Sequence, residues 1–366
     1  MVIWICPITG EFHIPINSNE NGLQKRQFCS PFFEYNRYES GCAGGDFLKR
    51  FLFWLFSFLF CSILLSGCGK IQSESPMRQV VDDSGQSLSL PSHPSRIVSL
   101  TYGTDEILLG LVDTSRVTAL SQYAGNPDIS FVTKEEAEAV GRKVDMNAES
   151  IMALKPDLVI ASTAVSPQVV SLLRQSGVPV YVSLVAASWD EMEEKVRGVA
   201  RAVNEEAGGE AMVQDMENKK AKLEEKLSAI GPSDERCALG LSFRGILGKK
   251  GTLFSEVLAM AHVKDGAARY DVPKGTNAYL SMEILPEINP DVILMPVWKV
   301  KTGDDETAFA RKIMENPAYR DVKAVKNGKL VPFPEKYKYV MSQHVTDAVE
   351  ASARAVYPEL FDKDSH

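Results

Sequence analysis

The sequence predicts an α/β fold with two lobes, each with a mainly parallel sheet flanked by helices, joined by one long connecting helix. Three observations predict this fold. Short apolar runs alternate with segments of helical spacing, a long charged helical stretch interrupts the alternation, and one motif occurs on each side of that stretch. Nearly continuous apolar runs are typical of strands buried on both faces, and helices between them favour parallel pairing.

The elements follow one another from Arg78 onward. Residues 78–91 (RQVVDDSGQSLSLP) predict a small hairpin with its turn at Asp83-Ser84-Gly85. The segment TDEILLGL, which follows the first apolar run, has helical spacing. The predicted core strands are RIVSL (96–100), DLVIA (157–161), VPVYVS (178–183), CALGLSF (237–243) and DVILMP (291–296).

The charged stretch at residues 204–230 is dense in Glu, Lys, Ala and Leu, and its apolar residues recur at helical spacing. A helix of this length spans about 40 Å. Gly208-Gly209 is expected to weaken its first turns, so that the ordered helix starts later. We interpret the stretch as a rigid connector between an N-terminal lobe (69–203) and a C-terminal lobe (231–366). A solvated surface helix is the alternative.

A motif recurs in the two lobes. NAESIMALKPDLVIA begins at Asn147 and LSMEILPEINPDVILM begins at Leu280, and each contains a Glu, six residues, Pro-Asp and a buried strand. Glu149 and Glu283 each lie two positions after a capping residue, Asn147 or Ser281, where a carboxylate favours the positive end of the helix dipole. Either Glu alone is explained as a good helix start. The pair predicts two equivalent acidic points, suited to a partner with two-fold symmetry.

An uncharged apolar run, residues 51–65, precedes the lobes and follows Lys49-Arg50. It is shorter than the roughly 20 residues of a spanning helix, and its layout is that of a secretory signal. Leu65-Ser66-Gly67-Cys68 resembles the bacterial lipobox, which implies that Cys68 is lipidated and becomes the N-terminus after cleavage. We therefore predict a lipoprotein signal peptide at residues 48–68. An ordinary signal anchor is the alternative.

The 47 residues before this signal are unusual, because signals normally begin at the N-terminus. No Met lies between Met1 and Met77, and bacterial genes can start at a leucine codon such as that of Leu48. The codons of Gly44-Gly45-Asp46 can match a ribosome-binding site at a suitable distance upstream of Leu48. We interpret residues 1–47 as translated leader RNA and exclude them from the fold prediction.

Composition excludes several classes of function. Residues 69–366 hold 35 Lys and Arg against 43 Asp and Glu, so there is no basic surplus to neutralise nucleic-acid phosphates. After cleavage Cys68 and Cys237 are the cysteines that remain, which excludes an internal disulfide and a cysteine metal cluster. The histidines have no companions at ligand spacing. We therefore predict no nucleic-acid partner and no free metal ion.

Four segments carry a family resemblance. VVDDSGQSLSLPSHPSRIVSL, ESIMALKPDLVIA, SMEILPEINPDVILM and the terminal ARAVYPELF, in this order and behind a lipobox, resemble the periplasmic substrate-binding proteins of metal-chelate ABC importers. That family includes vitamin B12-, ferric siderophore- and haem-binding proteins. The resemblance covers essentially all of residues 78–362 but does not fix the ligand.

The resemblance implies a function as well as a fold. The ligand would lie in the cleft between the lobes, and closure on it would be small because a helix joins them. In the B12-binding relatives one Glu on each lobe docks onto the permease dimer, and by motif these are Glu149 and Glu283. We expect a monomer that is lipid-anchored at the cell membrane and faces the periplasm or the cell exterior. It would deliver a metal chelate to an ABC permease dimer with its ATPase.

Ligands of parallel α/β folds bind beyond the carboxyl ends of the strands. Side chains that follow the apolar runs are therefore the candidate ligand contacts. The late segment PFPEKYKYV adds Lys336, Tyr337 and Tyr339, from which we select Tyr337. The predicted ligand-binding residues are Tyr102, Tyr123, Thr163, Arg244, Trp298, Lys299 and Tyr337.

These side chains suit more than one chelate. Arg and Lys suit an anionic iron chelate, whereas aromatic faces suit a corrinoid or a porphyrin. Arg244 and the nearby lysines favour a ferric siderophore over cobalamin, with haem third. Haem would also want an axial ligand, such as Tyr102 or Tyr123.

No catalysis and no cofactor are predicted. Similar two-lobed folds occur in nitrogenase-like reductases, which hold iron–sulfur clusters on several cysteines, and here Cys237 alone would be available for such a role. The remaining alternative is a lipoprotein that senses or scaffolds without transport. Permease and ATPase genes beside this one would favour import.

Overall fold

Two sheets organise the chain, one on each side of a long helix. The computed structural model describes residues 76–247, 251–270, 279–299 and 305–361. The predicted leader, the signal peptide and Cys68 lie outside these residues. Within the described ranges, no helix combines the length and the apolar character that a membrane crossing requires.

The first lobe, residues 76–203, begins with the predicted hairpin, formed by β1 (Met77–Val81) and β2 (Ser87–Pro91). Its main sheet is parallel, with the strand order β5–β4–β3–β6–β7. The strands are β3 (Ile97–Ser99), β4 (Val117–Ser121), β5 (Lys143–Val144), β6 (Leu158–Ser162) and β7 (Val180–Ser183). The helices are α1 (Tyr102–Leu111), α2 (Lys134–Val140), α3 (Ala148–Ala153), α4 (Pro167–Gln175) and α5 (Trp189–Val203).

The second lobe, residues 231–361, repeats this plan. Its parallel strands have the order β10–β8–β11–β12, and β9 pairs with β8 in the antiparallel direction. The strands are β8 (Cys237–Ser242), β9 (Gly245–Ile246), β10 (Lys264–Asp265), β11 (Val292–Met295) and β12 (Leu330–Pro332). The helices are α7 (Leu253–Met260), α8 (Leu285–Ile288), α9 (Glu306–Met314), α10 (Lys323–Lys326), α11 (Glu335–Lys338) and α12 (Val345–Val356).

Burial explains why the apolar runs form strands. Every residue of β3, β6, β7 and β11 is buried, as expected for strands covered on both faces by helices. The α/β prediction with two mainly parallel sheets is confirmed.

The connecting helix is α6, Glu206–Leu227. It buries Val213, Met216 and Leu227 and leaves most of its charged residues exposed. The expected weakening of its first turns is wrong, because the helix already begins at Glu206. Gly209 packs against α5, and a Cβ at this position would come within 2.5 Å of the Ala200 Cβ. Gly209 therefore allows α5 and α6 to pack closely against each other.

The recurring motif forms the same structure in both lobes. Asp157 N donates to Arg96 O, and the Asp157 carboxylate accepts from Arg96 N at 2.9 Å. Asp291 N donates to Cys237 O, and the Asp291 carboxylate accepts from Cys237 N at 2.8 Å. We call each arrangement a Pro-Asp hook. Each hook fastens the start of one strand to the start of the central strand beside it, β6 to β3 and β11 to β8.

The chain turns into each hook through a residue with positive φ. The φ angle is 50° at Lys155 and 48° at Asn289, each directly before the proline. This left-handed conformation ends the short helix that precedes the hook, α3 in the first lobe and α8 in the second. The two lobes therefore share one helix–hook–strand unit, and Glu149 and Glu283 lie at equivalent places in it.

Candidate functional site

Three predicted ligand contacts come together at the carboxyl ends of the strands. Tyr102 begins α1 after β3, Tyr123 follows β4, and Trp298 follows β11. The ring centroids of Tyr102 and Tyr123 are 6.2 Å apart, and those of Tyr123 and Trp298 are 5.7 Å apart, both in edge-to-face contact. This aromatic row (Tyr102, Tyr123 and Trp298) extends from the first lobe to the second and marks the cleft between them.

Hydrogen bonds between the lobes close the base of this cleft. Tyr102 Oη donates to Tyr339 O at 2.9 Å, and Lys336 N donates to Asp128 O at 2.9 Å. Burial raises the pKa of Tyr102 well above its usual range. Because the Tyr102 hydroxyl is already bonded, Tyr123 is the tyrosine of the aromatic row whose hydroxyl has no hydrogen-bond partner among the described residues.

A buried carboxylate reinforces the base of the cleft. Glu106, which is 4% exposed, accepts from Phe131 N at 2.9 Å and from the hydroxyl of Ser130 at 3.1 Å, both in the first lobe. It also accepts from the hydroxyl of Ser342 in the second lobe. Burial raises the pKa of the Glu106 carboxyl. These bonds and α6 together tie the lobes at more than one point, which favours a small closing motion.

Two predicted cations lie in loops of the second lobe that follow strands. Arg244 is exposed in the turn between β8 and β9, and Lys299 is exposed directly after Trp298. Neither side chain has an ion-pair partner in the part of the chain that the structure describes. The turn depends on Gly245, whose φ is 142° and whose Cβ would lie 2.7 Å from Leu280 O. The second lobe thus offers positive charge at the carboxyl ends of its strands.

Two other predicted contacts lie apart from the aromatic row. The Thr163 hydroxyl accepts from Val185 N at 3.1 Å, and Thr163 lines a groove of about 710 Å³ that also includes Ser84 and Arg174. Tyr337 packs against aromatic side chains of the core, with its ring 5.5 Å from that of Phe131.

Tyr339, in the same segment, is hydrogen-bonded to the aromatic row through its main chain. It accepts the Tyr102 hydrogen bond through its carbonyl, and burial raises the pKa of its own hydroxyl. The two tyrosines are two residues apart in the same segment, so the sequence alone does not distinguish their contacts. Tyr337 as a ligand contact stays a prediction.

The two glutamates of the recurring motif are exposed. Glu149 N donates to the Asn147 side chain at 2.9 Å, and Glu283 N donates to the Ser281 side chain at 3.2 Å. Neither carboxylate has an ion-pair partner within the described ranges. The cap geometry is as predicted, and both carboxylates are available to a partner.

Three buried charged residues at the cleft were not predicted. They are Glu106, Glu335 and Lys338. Each lies in a helix that follows a strand, Glu106 in α1 after β3 and the other two in α11 after β12, and this position is the available sequence signal. The charged ligand contacts selected from the sequence were the exposed cations Arg244 and Lys299.

Comparison with known proteins agrees with this geometry. A model of the periplasmic binding protein family matches residues 97–337, which include both sheets. An uncharacterized ABC transporter substrate-binding lipoprotein of Bacillus subtilis, YvrC, is 24% identical over 335 residues, covering 86% of this chain and 99% of the relative. A probable siderophore-binding lipoprotein of the same organism, YfiY, is 24% identical over 302 residues, covering 77% and 90%.

Solved structures share the fold. The periplasmic heme-binding protein RhuT from Roseiflexus sp. RS-1, in its apo form, superposes with a TM-score of 0.58 at 23% identity, covering 72% of this chain and 99% of that protein. The matched family, the two linked sheets and the cleft with its aromatic row lead to one conclusion. The chain belongs to the periplasmic binding protein family.

Proposed function

We propose that this chain is the substrate-binding component of an ABC importer and that it captures a ferric siderophore between its lobes. The observation that carries the proposal is the asymmetric cleft, with an aromatic row that crosses it and, on one side, exposed cations that have no ion-pair partner among the described residues. The relatives support the role, since YvrC is named as an ABC transporter substrate-binding lipoprotein and YfiY as a probable siderophore-binding one.

The proposed chemistry is recognition without catalysis. Ferric siderophores are commonly anionic, and the guanidinium of Arg244 presents several donors in a fixed fork that suits clustered anionic oxygens. Trp298 and Tyr123 supply broad apolar faces for the organic part of the chelate. Lys299 adds a second positive charge beside Trp298. The iron is cargo, held by its own chelator, and the protein binds the complex as a whole.

Haem is the second candidate, and one observation favours it. The ring of Tyr123 contacts those of Tyr102 and Trp298, and its hydroxyl, which has no hydrogen-bond partner among the described residues, could serve as a ligand to the iron of a porphyrin. Tyr102, the other tyrosine considered for this role, already donates to Tyr339 O. Cobalamin remains a third possibility in the same cleft.

A ligand titration tests the proposal. The full-length chain, purified in detergent, is titrated with ferric citrate, a ferric catecholate, a ferric hydroxamate, cyanocobalamin and haemin. The Trp298 contribution to fluorescence is the difference between the wild type and Trp298→Phe. Saturable quenching of that difference by a ferric siderophore supports the proposal. Quenching by haemin or cobalamin alone assigns the cleft to that ligand, and silence across the panel contradicts chelate binding.

We also propose that Cys68 carries the lipid anchor and that Glu149 and Glu283 dock on the permease. The anchor rests on the lipobox resemblance and on the lipoprotein names of the relatives. Cys68→Ser should release the protein from membranes into the soluble fraction. Retention on membranes would instead indicate that residues 51–65 act as a true anchor.

A further inference from the structure

A buried ion pair lies in the second lobe beside the cleft. The side chains of Glu335 and Lys338 are 4% and 0% exposed, and Lys338 Nζ is 3.1 Å from Glu335 Oε1. Lys338 Nζ also donates to Leu241 O at 3.0 Å and to Met295 O at 3.3 Å. All three ammonium protons therefore have acceptors.

The carboxylate holds the loop that follows β11. Glu335 Oε2 accepts from Val297 N at 3.2 Å and from Trp298 N at 2.8 Å. The backbone of Trp298, the member of the aromatic row that the second lobe supplies, is thus fixed by a charge-assisted hydrogen bond.

The ammonium holds the ends of two strands. Leu241 lies at the end of β8, three residues before Arg244, and Met295 ends β11, three residues before Trp298. One ion pair is therefore bonded to the strand ends that lead to both of these cleft residues.

Stability alone does not explain such a pair. Removing two charges from water is costly, and a buried ion pair can often be replaced by apolar side chains of similar volume without loss of stability. What apolar side chains cannot do is accept the Trp298 N–H or donate to the strand-end carbonyls. The bonds that only this pair can make all converge on the cleft loops.

We infer that Glu335 and Lys338 are positioning residues of the ligand site, which set the orientation of the Trp298 and Arg244 loops without touching the ligand. The inference rests on the proposed function for its effect on affinity. Its effect on Trp298 itself is independent of any ligand.

Two double variants of the full-length chain separate the hydrogen bonds from the charges. Glu335→Leu with Lys338→Met removes the pair and every polar bond it makes. Glu335→Gln with Lys338→Met is equally uncharged but keeps a carbonyl acceptor for the Trp298 N–H. Arg116→Met with Glu205→Leu is the control, because it removes a partly buried ion pair at the opposite, amino-terminal edge of the first sheet.

The first readout is acrylamide quenching of the Trp298 difference signal in ligand-free protein, with circular dichroism and the melting temperature confirming the fold. We expect the quenching constant of Trp298 to rise at least twofold in the Leu/Met variant. It should stay close to the wild-type value in the Gln/Met variant and in the control. An unchanged quenching constant in a folded Leu/Met variant, or an equal rise in the control, would overturn the inference.

The second readout is affinity for the chelate of the panel that the wild-type protein binds. We expect the Leu/Met variant to lose at least tenfold and the Gln/Met variant to lose less. Equal affinity in the Leu/Met variant and the wild type would overturn the positioning role. If the wild type binds none of the panel, the proposed function fails, while the quenching experiment still decides whether the pair positions Trp298.

Discussion

The two lobes share their hooks but differ at the cleft. Asp157 and Asp291 fasten equivalent strands with nearly identical hydrogen bonds, and Glu149 and Glu283 follow equivalent caps. The loops at the carboxyl ends of the strands, in contrast, differ between the two lobes. The first lobe contributes two tyrosines to the aromatic row, and the second contributes Trp298 together with two exposed cations, Arg244 and Lys299.

The lobes also bury charge differently. At the start of α1 the first lobe buries two carboxyl groups, Asp105 and Glu106, whose partners are hydroxyl and amide donors. Its buried Lys195 donates to Ser183 and Leu184 instead of a carboxylate, and its buried Asp82 pairs with the partly exposed Arg174. The second buries a carboxylate with a lysine partner, Glu335 with Lys338. A repeated scaffold therefore fixes the strands and the exposed glutamates. The loops at the cleft are free to differ, so that the first lobe supplies tyrosines and the second supplies Trp298 and exposed cations.

The largest expected effect concerns the shared glutamates. Glu149→Lys with Glu283→Lys should lower uptake of the cargo by on the order of 100-fold or more, because like charges placed across an interface cost several kcal/mol. Affinity for the cargo should not change. Transport is measured as the uptake of labelled cargo by whole cells, and affinity is measured by titration of the purified protein.

Glu135→Lys with Glu315→Lys is the matched control, since both of these glutamates are also exposed and their reversal changes net charge equally. Uptake that survives the Glu149/Glu283 reversal, or falls equally in the control, would refute the docking role. Single reversals would show whether the two lobes contribute equally.

The next effect concerns the Pro-Asp hooks. Asp157→Ala and Asp291→Ala should each lower the free energy of unfolding by about 1–3 kcal/mol, because backbone N–H groups lose their acceptor. Denaturant unfolding measures the change. Asp157→Asn and Asp291→Asn keep one acceptor oxygen and should cost less. A large loss in one lobe and none in the other would break the proposed equivalence.

The third effect concerns the buried acid of the first lobe. Burial raises the pKa of Asp105 to about 8, so between its ordinary value and pH 8 the folded protein binds a proton that the unfolded chain has released. The free energy of unfolding should therefore fall as the pH rises through this range, by up to about 1.4 kcal/mol per pH unit. Asp105→Asn should reduce this slope, and the part that remains should come from Glu106, whose pKa burial also raises. An unchanged slope in the variant would assign it to another group.

The smallest effect compares the two residues of positive φ. Lys155→Gly should stabilise the protein by about 0.5 kcal/mol, because relief of the left-handed strain slightly exceeds the entropic cost of glycine. Asn289→Gly should destabilise it by about 1 kcal/mol, because the Asn289 side chain accepts from Lys323 N at 2.9 Å. Melting temperatures measure both, and changes of the same sign would contradict this difference between the lobes.

The fold was largely predictable from the sequence, because strands buried on both faces leave continuous apolar runs. Capping residues also mark two starts, Asn147 before α3 and Ser281 before the 3-10 turn Met282–Ile284 that leads into α8. The helix α6 was predictable from its spacing, although the packing role of Gly209 depends on a neighbouring helix. The cleft was predictable only in part. Tyr102, Tyr123 and Trp298 follow strands and do come together.

The remaining features of the cleft depend on contacts between distant segments. Nothing local distinguishes Tyr339 from Tyr337, and the ion pair of Glu335 and Lys338 resembles an ordinary helical i,i+3 pair on a surface. Its burial becomes evident only when β8 and β11 bring Leu241 and Met295 to the same lysine.

The central claim is that one ligand contacts both lobes, with aromatic contact from the first and charge from the second. The most direct measurement is the affinity of the full-length chain for its best chelate in Tyr123→Ala, Arg244→Ala and the double variant. Each single change should weaken binding by about tenfold or more, since hydrogen bonds to a charged group such as Arg244 are worth about 1.5–3 kcal/mol and burial of a large side chain such as Tyr123 is worth about as much. Affinity that is unchanged by either substitution would mean that the ligand does not bridge the lobes, and would contradict the account.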